Sequence, residues 1–169
     1  MGSQLGFNES RKESLEIFYK KLKDIKVLPL CPFQACGEYL ELEKLNDDMT
    51  SKELTGFWQE FNSIIGPVNY ETLMPKAKFM IALLDGGHAL DDGVSAEIAY
   101  FASKHGPVFG IRTDPRLAEN ISAPINPAVR YFLDTGPYKG VFFEGPEAYN
   151  NALKYIQGFT RSKLDSATK

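Results

Sequence analysis

Apolar residues along this chain follow two rhythms. From Asn8 to about Asp24, Leu15, Phe18, Tyr19 and Leu22 recur at helical spacing on one face, with Asn8 placed to cap the start. Thr50-Ser51-Lys52-Glu53 has the form of a capping box. It opens a helix through Phe57, Trp58 and Phe61 to Ile65, closed by Gly66 and Pro67, and a short helical piece over Asn69–Met74 follows. Further helices are predicted from about Gly93 to His105, ended by Gly106, from Pro127 to Leu133, and from Pro146 to Gly158. Between them stand short apolar runs that read as strands: Lys26–Leu30, stopped by Pro32, then 79–84, Pro107–Ile111 and Gly140–Phe143. Gly37–Asp48 is polar, acidic and turn-like, a surface excursion, and Thr160–Lys169 reads as a frayed polar tail.

Strands that alternate with helices imply a parallel sheet covered on both faces. The expected class is therefore α/β, a flavodoxin-like (Rossmann-like) three-layer sandwich, with a single domain over 1–158 and a polar tail over 159–169. No internal repeat is visible. A chain of this type normally opens with an apolar strand, whereas this one runs Met1-Gly2-Ser3-Gln4-Leu5-Gly6-Phe7 and enters its first helix almost at once. In flavodoxin-like order the first strand is internal, so its absence would leave neighbouring ladders unpaired. Either the start is truncated, or this short arm and a partner chain fill the gap.

Composition narrows the function classes. A length of 169 residues suffices to bury a substantial core, and a net charge of −3 supplies no basic stripe to displace phosphate counterions. Lys20, Lys21 and Lys23 form the densest basic cluster, on a helix face where solvation accounts for them. With neither a membrane span nor a signal-peptide pattern in the sequence, a cytoplasmic location is expected, without nucleic-acid or membrane partners. Cys31 and Cys36 are too few for a disulfide framework, and two histidines leave them a poor zinc site. They read as free structural thiols, and no metal or cofactor is called for.

The most informative stretch follows the strand at 79–84: Asp85-Gly86-Gly87-His88-Ala89-Leu90-Asp91-Asp92-Gly93-Val94-Ser95-Ala96-Glu97-Ile98-Ala99-Tyr100. Ligands of open α/β sheets sit at the carboxyl ends of the strands, and this end carries Asp85, Asp91 and Asp92. Glu97 follows on a helix of small and apolar residues, where a carboxylate is costly unless it has partners or a task. Paired carboxylates without metal ligands or a phosphate-cradling glycine loop fit glycosidic-bond chemistry, one as nucleophile at the anomeric carbon. Gly93 and Ser95 add backbone N–H groups, close approach and a hydroxyl. The plainer readings are that Asp91 and Asp92 are a helix cap and its neighbour, that Asp85 only brackets the turn, and that His88 and Glu97 face solvent. Arg112 and Asp114 either pair with each other to hold a loop or touch substrate, and Trp58 and Phe61 read as core or subunit contact.

On these residues the chain resembles the nucleoside 2-deoxyribosyltransferases. That family's pattern places D-x-G-x-x-x-E-[IL]-[GA]-[YC] after an apolar strand, standing here as Asp91 to Tyr100. Pro107 to Arg116 is similar to its strand and R-T-D-x-R loop, and Ile125-Asn126 to its I-N or V-N step. The resemblance covers most of residues 5 to 157. It implies that Glu97 is the nucleophile of a covalent 2-deoxyribosyl-enzyme, and that Asp91 binds the sugar or helps protonate the base. It further implies that Asn69 orients the nucleobase, that Phe7 lies in the loop flanking it, and that Asn126 is lent to a neighbouring subunit's sugar site. Asp85, Gly93 and Ser95 join them as expected substrate-binding residues. The activity so implied is retaining transfer of 2-deoxyribose between a deoxynucleoside and a free nucleobase, in nucleotide salvage, by a dimer-based homo-oligomer without a cofactor. A nucleoside or deoxynucleotide N-hydrolase of the same fold and a non-catalytic nucleoside-binding module are the alternatives. The chain departs from the pattern in its lack of a first strand, in a longer 37–65 segment, and in Pro127 after Asn126.

Overall fold

A computed structural model describes residues 9–37, 49–85, 91–116 and 123–167, the side chains of 9–14, 33, 36–37 and 163–167 excepted. The chain divides into two compact units, residues 1–29 with 78–169, and residues 30–77. No described helix is long and apolar enough to cross a membrane.

The first unit is α/β with an open parallel sheet. Among its described residues β1 (Met80–Leu83), β2 (Val108–Arg112) and β3 (Val141–Glu144) pair in that order, all parallel. Register runs Leu83 to Ile111 across the first pair and Ile111 to Phe143 across the second. Each parallel step needs a crossover, supplied by α4 (Asp92–Lys104) and α5 (Pro127–Asp134), and these two helices pack on each other and on the sheet. On the opposite face α6 (Ala148–Ala167) covers β2 and β3 and packs with α1 (Glu9–Asp24). The result is the three-layer arrangement expected of a flavodoxin-like fold.

Alternation along the strands settles which residue faces which layer. Phe109 meets Phe159 and Tyr155 of α6 edge-on, whereas Phe142 lies under the guanidinium of Arg130 on α5. Every residue of β2 is buried, which is why this central strand reads as an apolar run up to Arg112 at its end. Where β3 begins, the chain passes so close to β2 that a Cβ on Gly140 would stand 2.0 Å from the Val108 carbonyl oxygen. Only glycine fits there.

Two expectations are corrected in this unit. Lys26–Leu30 is not a strand. The α1 helix ends instead in a Schellman turn, with Val27 N–H donating to Leu22 O and Lys26 N–H to Lys23 O, and with Lys26 left-handed at φ 62. Pro29 then lacks an N–H for any ladder, and Leu28 stays 76% exposed. The last helix does not stop at Gly158 but continues to Ala167, through the described part of the expected tail. Beyond the glycine, Phe159 packs edge-on against Phe79 and Phe109, and that burial outweighs the weak helix propensity of one glycine.

The second unit is helical. It holds α2 (Pro32–Gly37), so Pro32 starts a helix instead of merely stopping a strand, as a first-turn proline can. The α3 helix (Ser51–Pro67) begins at the expected capping box, with Thr50 and Glu53 bonded reciprocally. It does not close at Gly66 and Pro67 but passes into a π-helical turn, Val68–Leu73, and a 3-10 turn, Met74–Lys76. Phe61 is the buried centre of this unit's apolar cluster, with Phe57, Trp58, Ile64, Ile65 and Val68 around it. Cys31 is buried as a free thiol. Asn8 and most of the Gly37–Asp48 excursion lie outside the described residues.

Candidate functional site

Parallel strands all end at one edge of a sheet, and the helices that follow begin there. In the first unit that edge collects Asp85 after β1, Arg112 to Arg116 at the end of β2, Asp91 at the start of α4, and Asn126 at the start of α5. Asp85, Asp91, Arg112, Asp114 and Asn126 thus come to one edge of this sheet.

Asp91 caps α4. Its side chain accepts the Val94 N–H at 3.2 Å, and its carbonyl accepts both the N–H and the hydroxyl of Ser95. Gly93 stands so near that a Cβ there would lie 2.9 Å from an Asp91 carboxylate oxygen. The glycine leaves the carboxylate its place above the first turn.

Glu97 lies half-buried on the same helix. Val94, Ile98, Phe101 and Ala102 form the stripe that α4 turns into the core, and Glu97 flanks it. Glu97 stands six positions after Asp91, about 9 Å along the axis at helical rise. Helical side chains lean toward the N-terminus, so the glutamate leans toward the end of the helix that Asp91 caps, about 120° around the axis from it. One carboxylate thus sits at the mouth of β1 and a second lies one and a half turns deeper, beside apolar surface.

Asp85 and Arg112 tie the ends of β1 and β2 together. The Asp85 carboxylate accepts the Thr113 N–H at 2.6 Å, the Thr113 hydroxyl at 2.7 Å and the Asp114 N–H at 2.8 Å. In return Arg112, 2% exposed, donates Nη1 to the Leu84 carbonyl at 2.6 Å and Nη2 to the Arg116 carbonyl at 2.5 Å. Asp114, with a side chain only 7% exposed, holds the Arg116 guanidinium at 2.6 Å. The hydrogen bond to Asp114, helped by its charge, raises the Arg116 pKa above its ordinary value.

Asn126 caps α5 through an Ala128 N–H donated to its side-chain oxygen at 2.8 Å. Pro127 takes the first helical position, where a missing N–H costs nothing. Asn69 belongs to the second unit, 5% exposed in the π-helical turn, its carbonyl accepting the Met74 N–H. Phe7 and His88 lie outside the described residues.

Thr113 and Arg116 were not singled out as a latch and a pair in the sequence. Asp85 and Thr113 are 28 positions apart, with no local pattern to join them. Only strand register does so, since Leu83 faces Ile111 at the same offset. No family model, curated protein or solved structure matches the chain.

Proposed function

We propose that this protein transfers a 2-deoxyribosyl group between nucleobases, with Glu97 as its nucleophile. The observation that carries the reading is the half-buried Glu97 on α4, one and a half turns after the carboxylate that caps this helix at the mouth of β1.

In the first displacement a Glu97 carboxylate oxygen bonds to C1′ of a deoxynucleoside, the C1′–N bond breaks, and its electron pair leaves with the base. Asp91 binds the sugar or helps protonate the departing nitrogen. In the second, a nitrogen of an incoming base attacks C1′, the glycosyl ester breaks, and Glu97 regains its carboxylate as the base's proton is lost. Two inversions give overall retention. Apolar neighbours of Glu97 hold back water, which would otherwise take the sugar.

The carboxylate of Asp91 repels a 5′-phosphate, which favours nucleosides over nucleotides as substrates. Asn126 reaches the sugar site of a second copy, so the working unit is a homo-oligomer. The test is base exchange between a deoxynucleoside and a second free base, assayed beside release of base to water. Exchange that disappears in Glu97→Ala supports the reading. Base release without exchange makes the protein a hydrolase, and turnover undiminished in Glu97→Ala removes the nucleophile.

A further inference from the structure

We propose that Asp85 and Arg112 are positioning residues, a crossed latch that fixes the mouth of the β1–β2 edge for the attack on C1′. The proposal rests on the transferase reading and assigns a job to residues that the carboxylate chemistry leaves over.

Neighbouring strands each lend a side chain to the other's end. Asp85, from the end of β1, gathers two backbone N–H groups and a hydroxyl from the chain leaving β2. Arg112, from the end of β2, donates to the last carbonyl of the β1 run, Leu84, and to Arg116 beyond the loop. Ladder pairing alone would let these ends diverge after Leu84 N–H bonds to Ile111 O. A guanidinium this buried is costly to desolvate, and truncating it strands the carbonyls it serves. Three donors on one carboxylate leave Asp85 committed to the loop, so it acts on substrate through the frame it sets. The helix that Asp91 caps and that bears Glu97 packs against β1 and β2, the two strands whose ends the latch holds. Slack at the latch therefore moves the nucleophile relative to C1′, and small misplacements of this kind cost rate more than affinity.

The experiment compares wild type, Asp85→Asn, Thr113→Val and Thr113→Ser in steady-state base exchange, with amide hydrogen exchange at Thr113 and Asp114 read alongside. Asp85→Asn keeps the shape and loses charge, Thr113→Val removes only the hydroxyl, and Thr113→Ser restores it. The expected result is a kcat lowered by about 10-fold or more in Asp85→Asn, a smaller loss in Thr113→Val, KM held within about 3-fold, and recovery in Thr113→Ser. Faster amide exchange at Thr113 and Asp114 accompanies the loss. If the amides loosen while kcat stays at the wild-type value, the latch is structural only and the positioning role is overturned. An active wild type whose variants lose affinity instead of rate makes Asp85 a binding group, which also overturns it. Should Asp85→Asn fail to fold, Thr113→Val against Thr113→Ser decides by the same readings. A wild type that catalyses neither exchange nor base release overturns the transferase reading itself, and the positioning role with it.

Discussion

Gly140 offers the sharpest test of how β3 enters the sheet. A Cβ at this position would lie 2.0 Å from the Val108 carbonyl oxygen and 2.8 Å from that of Leu133. Carbon and oxygen settle at about 3.3 Å, so Gly140→Ala demands a backbone shift of roughly 1.3 Å. Neither neighbour is a side chain that can swing away. Val108 belongs to the central strand, paired to β1 on one edge, and the Leu133 carbonyl already accepts the Gly140 N–H at 3.0 Å. Overpacking costs about 1–3 kcal/mol where side chains can yield, and backbone puts this site at the upper end, about 3 kcal/mol. In a chain of this length that lowers Tm by roughly 6–12 °C. Gly158→Ala is the control, the same substitution in the exposed face of α6 with nothing within 4 Å of the new Cβ. It should gain about 0.5–1 kcal/mol, because alanine is the better helix former. Thermal and denaturant melts followed by circular dichroism read both. A Gly140→Ala variant within about 1 kcal/mol of wild type refutes the close approach of β3 to β2.

The same melts test the end of α1, where Lys26 pays for a left-handed backbone at φ 62. Lys26→Gly should stabilise by about 0.5–1 kcal/mol and Lys26→Ala should be near neutral, and a glycine variant no better than the alanine one removes the Schellman turn. Thr50, by its side-chain and then its backbone hydrogen bond, holds the Glu53 pKa below its ordinary 4.5. A carboxyl whose folded pKa is lowered stabilises above the unfolded value and loses that contribution as pH falls through the folded one. The stability gap between wild type and Glu53→Ala should therefore be constant near neutral pH and shrink below about 4.5. A gap that widens in acid contradicts the capping box.

The sheet was legible because its centre is buried on both faces. Met80–Leu83, Val108–Arg112 and Val141–Glu144 lie within or beside the apolar runs that marked them. Thr50 and Glu53 were legible for a different reason, since a capping box is a local pattern with a fixed spacing. Val27-Leu28-Pro29-Leu30 misled because apolar character says nothing about whether a ladder partner is present, and the preceding lysine had already turned the chain. Gly158 misled in the opposite sense, as a stop signal overridden by aromatic packing from Phe159. Among the site residues, Asp91 was readable as a cap from sequence alone. The Asp85–Thr113 bond was not, because it depends on how two strands align across an intervening helix.

Covalent trapping tests the central claim most directly. A 2-fluoro-substituted deoxynucleoside, whose electron-withdrawing fluorine slows breakdown of the sugar ester, is incubated with the protein, which is then digested and sequenced by mass spectrometry. The account predicts one sugar on the peptide that contains Glu97, released on adding a free base, and none in Glu97→Ala. A sugar found on any other side chain, or full labelling of the Glu97→Ala variant, contradicts it.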